Sequence, residues 1–160
     1  MKARSLMDAI MAKLRECRPW TKSKRLSVVA AYEDSATDAR VNEFCQRLTA
    51  NLGSDCQVAK QMWLFTELRV AQLRGIAADD AARAGLVIVS VHHSQGLPDE
   101  VKTWIEAWLA RKRSQHVVLL ALFDPLYRGD SSSMKTYLEK AAAKAKVPFL
   151  TQSEEVLDER

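Results

Sequence analysis

The sequence predicts a single α/β domain built on a doubly wound, five-stranded parallel sheet with the strand order 2-1-3-4-5. Three observations lead there. Apolar runs without alternation recur along the chain, most clearly "GLVIVSV" at 85–91 and "HVVLLALF" at 116–123, and such runs mark strands covered on both faces. Segments with helical spacing of apolar residues separate them. Strict alternation of the two is what right-handed parallel crossovers require, and 2-1-3-4-5 is one of the two common ways to wind them.

Each element has its own signals. Leu6, Met7, Ile10, Met11 and Leu14 fall on one face of an amphipathic helix within residues 1–18, and "PWTKSKR" at 19–25 reads as a basic linker. The first strand is "LSVVAAY", 26–32. Ser35 or Thr37 can cap the helix after it, with Asp38 three beyond Ser35 as in a capping box; that helix buries Val41, Phe44, Cys45, Leu48 and Leu52 and ends at Gly53. "CQVAKQMWLF", 56–65, is the second strand. A helical region over 66–83 follows, with a break expected around Gly75.

The third strand, 85–91, should be central. The helix behind it has Pro98 near its first turn, Asp99 and Glu100 against the positive end of its dipole, a stripe of Val101, Trp104, Ile105, Trp108 and Leu109, and basic residues 111–113 at its carboxyl end. Trp104 and Trp108 read as core. The fourth strand, 116–123, leads through "DPLYRGDSSS" to a helix with Tyr137, Leu138, Ala141 and Ala145 inside. "VPFL", 147–150, is short and carries a proline, so it belongs at a sheet edge. The domain thus spans 26–152, with an acidic tail at 153–160. That tail is too short for a full closing helix. The helix of residues 1–18 is therefore expected to cover the surface a closing helix would take, in its own subunit or in a partner.

Composition narrows the function classes. With 160 residues and 48% hydrophobic content the chain can bury a core of its own. Cys17, Cys45 and Cys56 are odd in number and lack C-x-x-C spacing, which indicates neither a disulfide framework nor a zinc ribbon and suits a reducing cytoplasm. No run is long and apolar enough for a membrane span or a secretory signal. Of the net charge of +4, the first 25 residues hold +6, eight bases against Asp8 and Glu16, which leaves −2 for the rest. A basic arm of this kind is not the Arg/Lys stripe with aromatic platforms that marks a nucleic-acid interface. Neither nucleic acid nor membrane is expected as a partner. Another protein or a second copy is, with the N-terminal helix as the candidate contact.

A ligand in such a sheet sits beyond the carboxyl ends of the strands, where strands one and three diverge. That edge gathers Glu33 and Asp34 after the first strand, His92, His93 and Ser94 after the third, and Asp124 after the fourth. Phosphate or dinucleotide binding needs a glycine-rich turn that brings backbone N–H groups onto the anion. "YEDSATD" has no glycine and puts carboxylates there instead, which disfavours flavin and nucleotides. The acidic pair could hold Mg²⁺, although helix capping is the simpler use. His92 and His93, leaving a strand as neighbours, point to opposite sides and so do not share one ion. Pairing Ser90 or Ser94 with a histidine as nucleophile and base lacks the G-x-S-x-G elbow. No catalytic residue, metal or cofactor is assigned.

Over residues 26–152 the element order and the acidic pair resemble a response-regulator receiver, a signalling domain of the flavodoxin-like fold. The resemblance implies a phosphoryl-accepting aspartate near the end of the third strand, where this chain has Ser90. It implies a Ser or Thr ending the fourth strand and a Lys ending the fifth, where Leu122 or Phe123 and Thr151 stand. It therefore implies a degenerate receiver, a non-enzymatic signalling or interaction module of bacterial type. A second resemblance joins "VIVSVHHSQGLPDEVKTW" to TIR-type domains, some of which cleave nicotinamide dinucleotides with a helix glutamate; it makes Glu100 the candidate in the alternative reading, a small-ligand binder or hydrolase.

Overall fold

The computed structural model describes residues 6–17, 25–53, 56–91, 97–112, 117–123 and 132–151. Helix α1 (Leu6–Cys17) comes first, then β1 (Arg25–Tyr32), α2 (Ser35–Leu52), β2 (Gln57–Leu64), a 3₁₀ turn (Phe65–Arg69), α3 (Ala71–Ala82), β3 (Leu86–Val91), α4 (Asp99–Arg111), β4 (Val118–Phe123), α5 (Ser132–Lys144) and β5 (Phe149–Thr151). All strand pairs are parallel and the order is β2-β1-β3-β4-β5, a flavodoxin-like sheet. β3 and β4 are buried along their whole length, which is why their sequences read as unbroken apolar runs. β2 and β5 are the edges. Gln57, Lys60 and Gln61 leave β2 polar where another strand could otherwise pair, and Lys60 donates from its ammonium to the Asn42 side chain on α2.

Strand order decides which helix lies where. From β1 to β2 the chain steps one way across the sheet; the next three crossovers all step the other way. A single crossover hand then puts one helix on the first face and three on the second. The core divides accordingly. α3, α4 and α5 cover Val29, Ala31, Val87, Val89, Leu119 and Ala121. α2 alone would cover Val28, Ala30, Leu86, Ile88, Leu120 and Leu122, and α1 completes that layer beside it. Ile10 and Leu14 are fully buried and Leu6, Met7 and Met11 nearly so, with α1 lying against α2 and β5. Of the two seats expected for this apolar stripe, its own subunit or a partner, it takes the one in its own chain.

Three local expectations need correction. The region after β2 breaks at Val70 rather than at Gly75. Glu67 folds back to accept the Leu64 N–H at 2.7 Å, which closes the 3₁₀ turn, and Arg74 donates to the Leu68 carbonyl at 2.9 Å. Gly75 sits inside α3. The second correction concerns α5, whose buried stripe is Met134, Leu138 and Ala142; Tyr137, Ala141 and Ala145 are half-buried on the side turned toward α4. The third is the cap of α2, which is neither Ser35 nor Thr37 but Asp34, the capping use expected of the acidic pair.

α3 and α4 pack closely because α3 offers only methyl groups, Ala77, Ala78, Ala81 and Ala82. Trp104 and Trp108 of α4, both fully buried with ring centroids 6.3 Å apart, occupy the same core. Arg69 and Glu100 at 3.1 Å and Arg111 and Asp79 at 3.2 Å join the layer at its two ends. No helix among the described residues is long and apolar enough to cross a membrane.

Candidate functional site

At the carboxyl edge Tyr32, Ser90 and Leu122 stand in register on β1, β3 and β4. Ser90, in the place of a receiver's phosphoryl acceptor, is fully buried. Its hydroxyl donates to the Thr37 carbonyl at 3.1 Å, across from β3 to the first turn of α2. Leu122, Phe123 and Thr151, at the receiver-like positions ending β4 and β5, are buried as well.

The loop from β1 into α2 is organised around Thr37, a fully buried polar side chain. Its hydroxyl accepts the backbone N–H groups of Glu33 and Asp34, both at 2.8 Å, and donates back to the Asp34 carbonyl at 2.9 Å. Asp34 returns a cap: its carboxylate accepts the Thr37 N–H at 3.0 Å. The acidic pair therefore divides into a capping aspartate and a half-buried Glu33. Tyr32, the last residue of β1, is a member of this edge that spacing did not single out. Burial raises its phenol pKa, and the carboxylates of Asp38 and Glu67 raise it further. Asp38 accepts from the Asn42 side chain at 2.8 Å. Tyr32 could have been found by asking which polar side chain ends the strand.

The acidic character of this edge agrees with the absence of a glycine-rich anion turn in the sequence. Ser35 and Ala36, the exposed residues at the start of α2, have Glu33, Asp34 and Asp38 around them. Among the described residues no three His, Cys, Asp or Glu side chains gather to hold a metal ion. His92, His93, Ser94 and Asp124 lie outside the described residues, as do His116 and Trp20.

Glu100, the candidate suggested by the TIR resemblance, is held at the start of α4. Its carboxyl is kept below the ordinary glutamate range first by its own backbone N–H at the helix terminus and then by Arg69, against the opposing effect of burial. That partnership makes it a clamp between the 3₁₀ turn and α4.

Two concave surfaces formed by described residues lie elsewhere. One, about 400 Å³, opens beside the amino half of β1 and is lined by Arg25, Ser27, Gln61, Asp80 and Arg83 among others. Burial raises the carboxyl pKa of Asp80 there, with Arg83 opposing. The other is a mostly apolar groove of about 620 Å³ between α4 and α5, with Leu109, Ala110, Ala141 and Ala145 on its walls and Glu106, Tyr137, Lys140 and Lys144 around them. The Tyr137 hydroxyl donates to Glu106 at 2.7 Å, and burial together with that carboxylate pushes its pKa well above the ordinary tyrosine range. Cys45 and Cys56 are free thiols, and burial raises the pKa of each. No family model matches this chain, and no curated protein matches it.

Proposed function

We propose that this protein is a non-enzymatic signalling or protein-interaction module, related in architecture to bacterial receivers and working in the cytoplasm without their phosphoryl chemistry. The observation that carries the reading is Ser90. Where phosphoryl transfer would need an exposed carboxylate, the chain has a fully buried hydroxyl already hydrogen-bonded to the Thr37 carbonyl. Asp34, half of the acidic pair that could hold a divalent cation, already serves as the α2 cap. The apolar groove between α4 and α5 supplies a surface through which such a module can act.

The test is a thermal-shift series with Mg²⁺, Zn²⁺, nucleotides and nicotinamide dinucleotides, run beside acetyl phosphate labelling and an assay for released nicotinamide. The expected result is no ligand-dependent shift, no label and no release. A shift that disappears in Glu33→Gln/Asp34→Asn, which keeps an acceptor at the α2 cap, or nicotinamide release that disappears in Glu100→Gln, would replace this reading with that of a ligand-binding protein or hydrolase.

A further inference from the structure

The groove between α4 and α5 has a physical origin. Midway along α5 the two helices are pinned by Tyr137, whose hydroxyl donates to Glu106 at 2.7 Å and stands 3.4 Å from the Lys102 carbonyl, with the Lys102 ammonium 5.2 Å from its ring centroid. Beyond that point the apolar wall on this side is Ala141 of α5 with Ala145 just after it, Lys140 and Lys144 standing at the edge, and α4 answers with Leu109 and Ala110. Nothing there is large enough to fill the space between two helix axes, so an open apolar slot remains.

Its rim carries two lysines against one carboxylate. Lys140 and Lys144 stand one turn apart along it, exposed, and make no ion pair with any described residue. The acidic residue among the described lining, Glu106, is engaged by the Tyr137 hydroxyl away from the two lysines' turn of α5, and leaves the rim net positive by one. Lys140 with Lys144 and Ala141 with Ala145 are both four-residue spacings, so a cationic ridge runs beside a row of methyl groups. A third helix can lay its own ridge into such a row, because alanines permit the axes to approach to roughly 8–10 Å. Two copies meeting through this face would bring the same lysines together, which argues against self-association.

We propose that the α4–α5 groove seats an acidic amphipathic helix from a partner protein, its apolar stripe between Leu109 and Ala141 and its carboxylates against Lys140 and Lys144. This rests on the interaction-module reading and names the class of partner. The probe is a fluorescein-labelled, alanine-based helical peptide with a leucine stripe flanked by glutamates, titrated into the full chain, beside the same peptide with lysines for the glutamates. Saturable binding of the acidic peptide is expected, weakening with salt, falling on the order of tenfold in Lys140→Glu/Lys144→Glu and lost in Ala141→Trp, each variant first shown to melt as the parent does. The proposal is overturned by no saturable binding, by equal binding of the basic peptide, or by binding indifferent to Ala141→Trp. Binding seen only after removal of residues 152–160 would assign the groove to this chain's own acidic segment. A dimer dissolved by Ala141→Trp would assign it to a second copy, and binding of anionic vesicles or RNA in place of the peptide would assign it to those. Any of these leaves the parent reading intact so long as the ligand series, with its Glu33→Gln/Asp34→Asn and Glu100→Gln controls, stays silent.

Discussion

Thr37 closes the turn between β1 and α2 from inside the core. Replacing it by valine keeps the shape and removes the acceptor of two backbone N–H groups, those of Glu33 and Asp34. Each donor then stays unpaired or draws in water, so Thr37→Val should cost about 2 kcal/mol in urea unfolding, while Thr37→Ser should recover most of it. Glu100 provides a pH-dependent counterpart. Because its folded-state pKa is lowered, its contribution is present above the ordinary glutamate range and is lost as pH falls through the lowered value. Glu100→Gln should therefore be less stable than the parent near neutrality, and the two should converge in unfolding curves taken at progressively acid pH. Ser90 shows how far residues alone can be read. Its place at the end of the central strand was legible from the apolar run; its bond to a carbonyl 53 positions earlier was not, because side-chain partners across a sheet depend on register and rotamer.

At the scale of elements the sequence was most informative where burial is uniform and least so where side chains hold the backbone. The unbroken runs of β3 and β4 and the Trp-bearing stripe of α4 could be read directly, since they follow from periodicity. The stop at Val70 could not. It depends on Glu67 and Arg74 capturing backbone groups, whereas a break at Gly75 was expected from propensity alone. Gly75 has no atom within 4 Å of where a Cβ would stand and has no positive φ. Gly75→Ala should accordingly raise stability by roughly 0.5–1 kcal/mol, visible as a higher melting temperature with unchanged circular dichroism. The α4–α5 groove escaped the sequence reading because Tyr137 and the two alanines fit a buried helical stripe equally well. Only the position of α4 reveals that the stripe actually buried is the neighbouring one, Met134, Leu138 and Ala142.

For the whole molecule, the asymmetry of one crossover against three is the governing fact, and α1 compensates for it. Removing residues 1–18 would uncover the α1-facing part of a layer that includes Leu86, Ile88, Val118 and Leu120. At roughly 25 cal/mol per Å² of apolar surface, losing the burial of five large side chains is comparable with the whole margin by which a domain is stable. The truncated protein should aggregate or fail to unfold cooperatively; a soluble monomer with the parental melting temperature would show that α1 is dispensable. The apolar stripe over residues 6–14 shows in the sequence that this helix needs a surface to cover, and that the surface lies in the same chain follows only from the contacts of α1 with α2 and β5.

The position of α1 also sets an order of events during synthesis. Within this chain α1 precedes every strand, yet one of the elements it rests on, β5, follows all the others. Its apolar stripe must wait through the emergence of the entire sheet before its seat is complete, and the contact that closes the fold spans almost the whole chain, the kind of long-range closure that slows folding. Until then the apolar face of α1 has no complete cover, and surface left open in this way during folding is prone to association.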